Sequence, residues 1–145
     1  MEISSPAFKQ GGIIPSLYTC EGKNTPPPLE FKHIPKEAKS LVLIMDDPDV
    51  PSWVRLDCMY DHWVVYDIPP DQKTGTHGKN TAGKNQYTGP CPPNGEHRYF
   101  FKLYALDKTL GLPPGATKKE VEKAMEGHIL AKAELMGRYE KGKGT

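Results

Sequence analysis

The run His97–Leu106, H-R-Y-F-F-K-L-Y-A-L, limits what this chain can fold into more than any other stretch. Apart from Arg98 and Lys102, both alternating sets of side chains are apolar. Neighbours in a strand leave by opposite faces, so such a strand belongs at the centre of a sheet covered on both sides. Shorter β-branched and aromatic runs at Ser40–Met45 and Trp63–Ile68, each bounded by Pro or Asp, read as further buried strands. The Pro/Gly stretches Gly22–Pro28, Pro48–Ser52 and Gly89–Gly95 are too short for crossover helices, and only Pro69–Gly78 runs on far enough, to Tyr87. Antiparallel pairing follows.

The expected fold is mostly β, an antiparallel β-sandwich, with a short C-terminal helical region. Thr117-x-x-Glu120 after Pro113-Pro114-Gly115 fits a capping box, and Val121, Ala124, Met125 and Ile129 then mark one helical face. Gly127 interrupts this face, while Leu130, Ala133 and Leu135 continue it with shifted phase. The pattern predicts two short helical segments that break near Gly127, then Tyr139 and a frayed basic tail.

The chain of 145 residues, with no long Ser/Gly linker, fits a single domain over 1–145 with a core of its own. Lys and Arg number 19 against 18 Asp and Glu, and the lysines are scattered, which is not the charge footprint of a nucleic-acid binder. No apolar run is long enough to span a bilayer, and Met1-Glu2-Ile3-Ser4 has neither the basic nor the apolar region of a secretion signal, so the expected location is cytoplasmic. Cys20, Cys58 and Cys91 show no C-x-x-C spacing; at most one disulfide can form within the chain, and reduced thiols are the expectation.

Three islands carry the chemistry: D-D-P-D-V-P at Asp46–Pro51, D-H-W-V-V at Asp61–Val65, and G-P-C-P-P-N-G-E-H-R-Y at Gly89–Tyr99. Each sets a carboxylate or imidazole beside Pro or Gly at the edge of an apolar run, so the three can converge on one rigid polar pocket. His62 and His97 each head an apolar strand, which puts both at sheet ends. Two imidazole donors with a carboxylate to orient one of them suit a small oxyanion such as phosphate. Strand alternation puts Asp47 and Asp49 on one side and Asp46 on the other, and turns Arg98 away from His97. The prolines Pro90, Pro92 and Pro93 make the loop a preformed wall.

Other chemistries fit less well. The aspartate island lacks the glycine and distal Glu of an EF-hand, and Asp47, His62, Cys91 and His97 match no compact zinc motif, so neither metal nor cofactor is expected. Cys91 with His97 as base lacks an identifiable orienting group or oxyanion hole. His33, His77 and His128 have no comparable setting. The phosphate-loop, dinucleotide, zinc-protease and serine-hydrolase motifs are all missing.

Taken together, the three islands resemble the phosphatidylethanolamine-binding protein family, also known for Raf kinase inhibitors, and its bacterial and archaeal branch above all. The resemblance extends to E-G-K-N-T-P-P-P-L at Glu21–Leu29, G-K-N-T-A-G-K-N-Q-Y at Gly78–Tyr87 and E-G-H-I-L-A-K-A-E-L at Glu126–Leu135. It implies an antiparallel β-sandwich with a small anion pocket formed by Asp47, His62 and His97, with Gly89, Pro90, Cys91, Pro92 and Tyr99 nearby. It also implies binding of phosphate, acetate or phosphoryl head groups, a cis peptide at Val50-Pro51, and a homodimer. The chain departs from the animal members, which have a longer C-terminal helix over the pocket and a glycine where Cys91 stands.

The leading functional expectation is a non-enzymatic, anion-binding regulatory protein, with a small anionic or phosphoryl ligand and a serine protease or kinase as partner. The alternative is a small hydrolase acting on a phosphorylated or acyl substrate, with His62 and His97 as acid and base. A third reading is an interaction scaffold whose pocket is vestigial.

Overall fold

A computed structural model describes residues 1–144. Strands β1 (Glu2–Ser4) and β2 (Glu30–Lys32) pair as a small antiparallel ribbon. Strands β3 (Ser40–Asp47), β4 (Tyr60–Ile68), β5 (Thr76–His77), β6 (His97–Leu106) and β7 (Ile129–Tyr139) form an antiparallel sheet in the order β5-β4-β3-β6-β7. The one α-helix among the described residues, α1, spans Lys118–Met125, and a single 3-10 turn spans Ser16–Tyr18.

The sheet has a core on each face, as its doubly apolar strands require. Leu41, Leu43 and Met45 of β3, Trp63 and Val65 of β4, and Tyr99, Phe101 and Leu103 of β6 face one side, where Ile3, Phe8, Ile14 and Leu29 cover them. Val42, Ile44, Val64 and Tyr66 face the other, under Val121 and Met125 of α1 and Ala116. The capping box that starts α1 is present: the Thr117 hydroxyl accepts from the Glu120 amide, and the Glu120 carboxylate accepts from the Thr117 amide.

The second helical segment does not form. After α1 the chain turns through Gly127, whose φ of 78° suits a residue without Cβ, and Ile129–Tyr139 then pairs along the length of β6. The same residues also have a period of two: Ala131, Ala133, Leu135 and Tyr139 all pack onto the first core. The long β6 offers an open row of backbone donors and acceptors, and pairing with it outweighs a weak helical pattern. Nor is the tail loose over its described residues. The Gly142 amide donates to Glu21 Oε1 and the Ser16 amide to the Gly144 carbonyl, at 2.9 and 2.8 Å.

Leu103 is fully buried at the centre of β6. Leu103→Ala should lower unfolding free energy by about 2–5 kcal/mol, read as the shift of the urea midpoint at unchanged slope; a loss below about 1 kcal/mol would mean that this face is not close-packed.

Candidate functional site

The C-terminal end of β3 and the N-terminal ends of β4 and β6 meet at one edge of the sheet, because both neighbours run antiparallel to β3. A half-open cavity of about 230 Å³ lies there, lined by Asp47, His62, His97 and Tyr99 together with Thr88, Gly89, Cys91, Pro92 and Pro93. Three islands distant in sequence thus share one wall.

Each imidazole is fixed through the same ring atom. His97 Nδ1–H donates to Asp47 Oδ2 at 2.6 Å, and both side chains are about 4% exposed. His62 Nδ1–H donates to the Thr88 carbonyl at 2.6 Å. Carboxylate and carbonyl are acceptors, so Nδ1 carries the proton in both rings. Among the described residues neither Nε2 has a protein partner. Tyr99 contacts both rings, edge-on to His62 at 5.3 Å and stacked on His97 at 6.4 Å, and Tyr60 packs on His62 at 4.8 Å.

Burial holds the His62 imidazole below its usual range, against smaller raising effects from the Thr88 carbonyl and the charges of Asp47 and Asp46. Burial also pushes the Tyr99 phenol up, reinforced by the nearby Asp47 charge. Its hydroxyl is buried without a hydrogen-bond partner, so the phenol stays neutral and unspent.

The aspartate island divides among three tasks. Asp47 Oδ1 accepts the Asp49 amide at 2.7 Å, closing the turn after β3. Asp49 itself leaves the cavity, contrary to simple alternation: its carboxylate accepts from the Arg98 amide and guanidinium at 2.8–2.9 Å. The chain turns after Asp47, which ends the alternation. Asp46 faces the opposite side of the sheet, where Lys102 and Lys118 lie 3.0 Å from its Oδ2. Val50-Pro51 is trans, since the described chain contains no cis peptide, so the turn is held by these hydrogen bonds instead of by that isomer.

Cys91 is not a free thiol. It forms a disulfide with Cys20, seventy-one residues away, and both halves are exposed. This overturns the expectation of reduced cysteines and removes Cys91 as a nucleophile; Cys58 is the free one. The cause is proximity that no spacing reveals. The Cys20 amide donates to the Pro90 carbonyl at 3.1 Å, and the Gly89 amide to Asn24 Oδ1 at 2.8 Å, so the two loops lie edge to edge. A side chain at Gly89 would bring its Cβ to 2.3 Å from the Tyr18 carbonyl oxygen, which is why that position must be glycine. Pro90 is spent on this junction and does not line the cavity.

Pro93 lines the cavity as the preformed wall expected of its loop, and Val50, Val54, Tyr60 and Thr88 line it without having been singled out. Tyr60 was within reach, because it lies two residues before His62 on the same strand. Val50 and Val54 arrive through a loop fold that carries no sequence signal. Asn80 was also missed: its buried amide donates to the Gln86 and His62 carbonyls and to Thr88 Oγ1, at 2.8–3.2 Å, and so sets the Thr88 carbonyl against His62.

A family model described as phosphatidylethanolamine-binding protein matches residues 4–140. The chain belongs to the phosphatidylethanolamine-binding protein family. A UPF0098 protein of Methanothermobacter thermautotrophicus is 49% identical over 157 residues, which cover 98% of this chain and 100% of that one. A UPF0098 protein of Chlamydia trachomatis is likewise 49% identical over 149 residues, covering 97% and 99%. Among solved structures, the phosphatidylethanolamine-binding protein homologue CT736 of Chlamydia trachomatis superposes with a TM-score of 0.94 at 49% identity, covering 97% of each chain. YbcL of E. coli, described as a member of the mammalian family, gives a TM-score of 0.83 at 26% identity, covering 96% of this chain and 97% of that one.

Two outcomes follow for the family fold as this chain builds it. Reducing the Cys20–Cys91 bond, or replacing both residues by Ser, should cost about 2–4 kcal/mol of stability, measured by urea unfolding with and without reductant; equal midpoints would contradict a clamp between the loops. Because His62 is buried neutral, the unfolded chain takes up a proton there as the pH falls through about 6.5 while the native chain does not. Its contribution to stability is therefore present above that pH and lost below it. His62→Gln should flatten the decline of stability between about pH 7.5 and about pH 5.5; an unchanged slope would show that His62 titrates alike in both states.

Proposed function

We propose that this chain is a non-enzymatic receptor for a small anionic group, phosphoryl or carboxylate, and that occupancy of the cavity regulates its grip on a protein partner, a serine protease or a kinase. The observation that carries the reading is the pair of imidazoles anchored through Nδ1 to fixed acceptors, which leaves both Nε2 atoms to serve whatever enters the cavity. Both rings are oriented before a ligand arrives, so binding costs little ordering. Tyr99 adds a neutral phenol with no protein partner.

Support for binding over turnover comes from Cys91. The disulfide closes the form of the hydrolase alternative in which Cys91 is the nucleophile, because its sulfur is already bonded to Cys20. The half-open, mostly carbon-lined wall fits a terminal group presented on a larger molecule, which agrees with a protein partner that carries the anion.

Phosphate and phosphoethanolamine titrated by calorimetry into wild type, His62→Ala and His97→Ala test the reading. Each substitution should weaken binding roughly ten-fold or more, about 1.4 kcal/mol, with the fold intact by circular dichroism. Wild-type protein silent to both ligands, or variants that bind as wild type does, would defeat the receptor reading. A panel of serine proteases and kinases, assayed with and without phosphate, then addresses the partner.

A further inference from the structure

The cavity just described is unusual in its charge. Among the described residues no lysine or arginine lines it, and the one carboxylate on its wall is that of Asp47. The cations nearby are committed elsewhere: Arg98 to Asp49, and Lys102 and Lys118 to Asp46 behind the sheet. A dianion entering here would meet a resident negative charge with no fixed positive one to offset it, in a site that excludes much of the water.

His62 sets the second condition. Its Nδ1–H is spent on the Thr88 carbonyl, its ring is 5% exposed, and no carboxylate lies within hydrogen-bonding distance of it. What faces it is Tyr60 of its own strand, Tyr99 of β6, and the backbone of Thr88 and Gly89. The Asp47 and Asp46 charges act on it only from beyond hydrogen-bonding range, and His97 packs on the same Tyr99 ring. The lowered pKa of this ring agrees with a neutral imidazole whose Nε2 holds a lone pair. Such an atom accepts a hydrogen bond and offers none.

We propose that the cavity selects oxyacids that still carry a proton, with the half-protonated phosphomonoester as the type ligand, and discriminates against dianions such as sulfate; the ligand's own O–H donates to His62 Nε2. This rests on the reading of the cavity as an anion receptor and adds the protonation state of what it takes. His62 is then the specificity-determining residue. The unprotonated oxygens are left to the Tyr99 side of the wall, where the phenol O–H is a donor with no protein partner.

Calorimetric titrations of methyl phosphate, dimethyl phosphate and sulfate into the oxidised wild-type protein test it. With a second pKa of about 6, the monoanion share of a phosphomonoester falls roughly fifty-fold between about pH 6 and about pH 8, and the affinity for methyl phosphate should fall with it. Sulfate and dimethyl phosphate do not titrate in that window and lack the proton, so at about pH 6 each should bind roughly ten-fold or more weakly than methyl phosphate. Any pH dependence they show belongs to the protein. Sulfate binding as tightly as methyl phosphate, or methyl phosphate affinity that holds or rises toward about pH 8, would overturn the proposal while leaving the receptor reading intact. Silence from all three ligands would sink both. His62→Gln supplies an amide N–H in place of the lone pair and should narrow the preference for methyl phosphate over sulfate; a merely structural His62 would weaken both ligands equally and leave their ratio unchanged.

Discussion

The hydrogen bond between Asp47 and His97 is the contact on which the rest of the site depends. A carboxylate sealed from water is costly unless its oxygens are satisfied. Asp47 spends Oδ2 on the imidazole and Oδ1 on the Asp49 amide, so one residue fixes both a ring and a turn. It ends β3 where β6 begins, and the β3–β6 register, with Asp46 opposite Phe100, sets Asp47 and His97 on one face as diagonal neighbours. The sheet's central pairing therefore determines the site's geometry, and a slip of one residue would exchange Asp47 for Asp46 at the cavity wall.

That exchange would be severe because the two faces are built for opposite purposes. Behind the sheet, Asp46 and Asp61 meet Lys118, the first residue of α1, with Nζ–O distances of 3.0 and 3.2 Å. Burial works against the Lys118 charge, but the two carboxylates outweigh it and hold the ammonium above the ordinary lysine range. The helix start is thus pinned to the same strand ends that present Asp47 and His62 in front. Cations collect on the rear face and imidazoles on the front, and period-two alternation of D-D and D-H accomplishes the separation.

Much of this was legible in the sequence where a local rule governs. The doubly apolar β6, the capping box of α1 and the opposed directions of Asp46 and Asp47 all follow from periodicity or from local hydrogen bonding. Convergence of His62 and His97 was legible for the same reason, since each begins an apolar strand. What was not legible depends on contacts between distant segments. Ile129–Tyr139 satisfies a helical and a strand pattern, and only the open edge of β6 decides between them. Cys20 finds Cys91 because Gly89 allows the Tyr18–Asn24 segment to approach, a fact about two loops at once. Asp49 escapes alternation because the strand ends before it, and Arg98, pointing outward from β6, is there to receive it.

On the proposal that the cavity receives an anion, the same long-range contacts supply what fixed cations do not. Coulombic attraction is the cheapest way to hold an anion, and this wall forgoes it. What remains is preorganisation: a loop with prolines at 90, 92 and 93, clamped by a disulfide and by the Gly89–Asn24 hydrogen bond, and rings held by carbonyl and carboxylate. A group that arrives loses its water but need not order the protein around it. Affinity then depends on matching donors to acceptors atom by atom, so the orientation of two imidazoles and one unpartnered phenol, and not the net charge of the chain, decides what can stay.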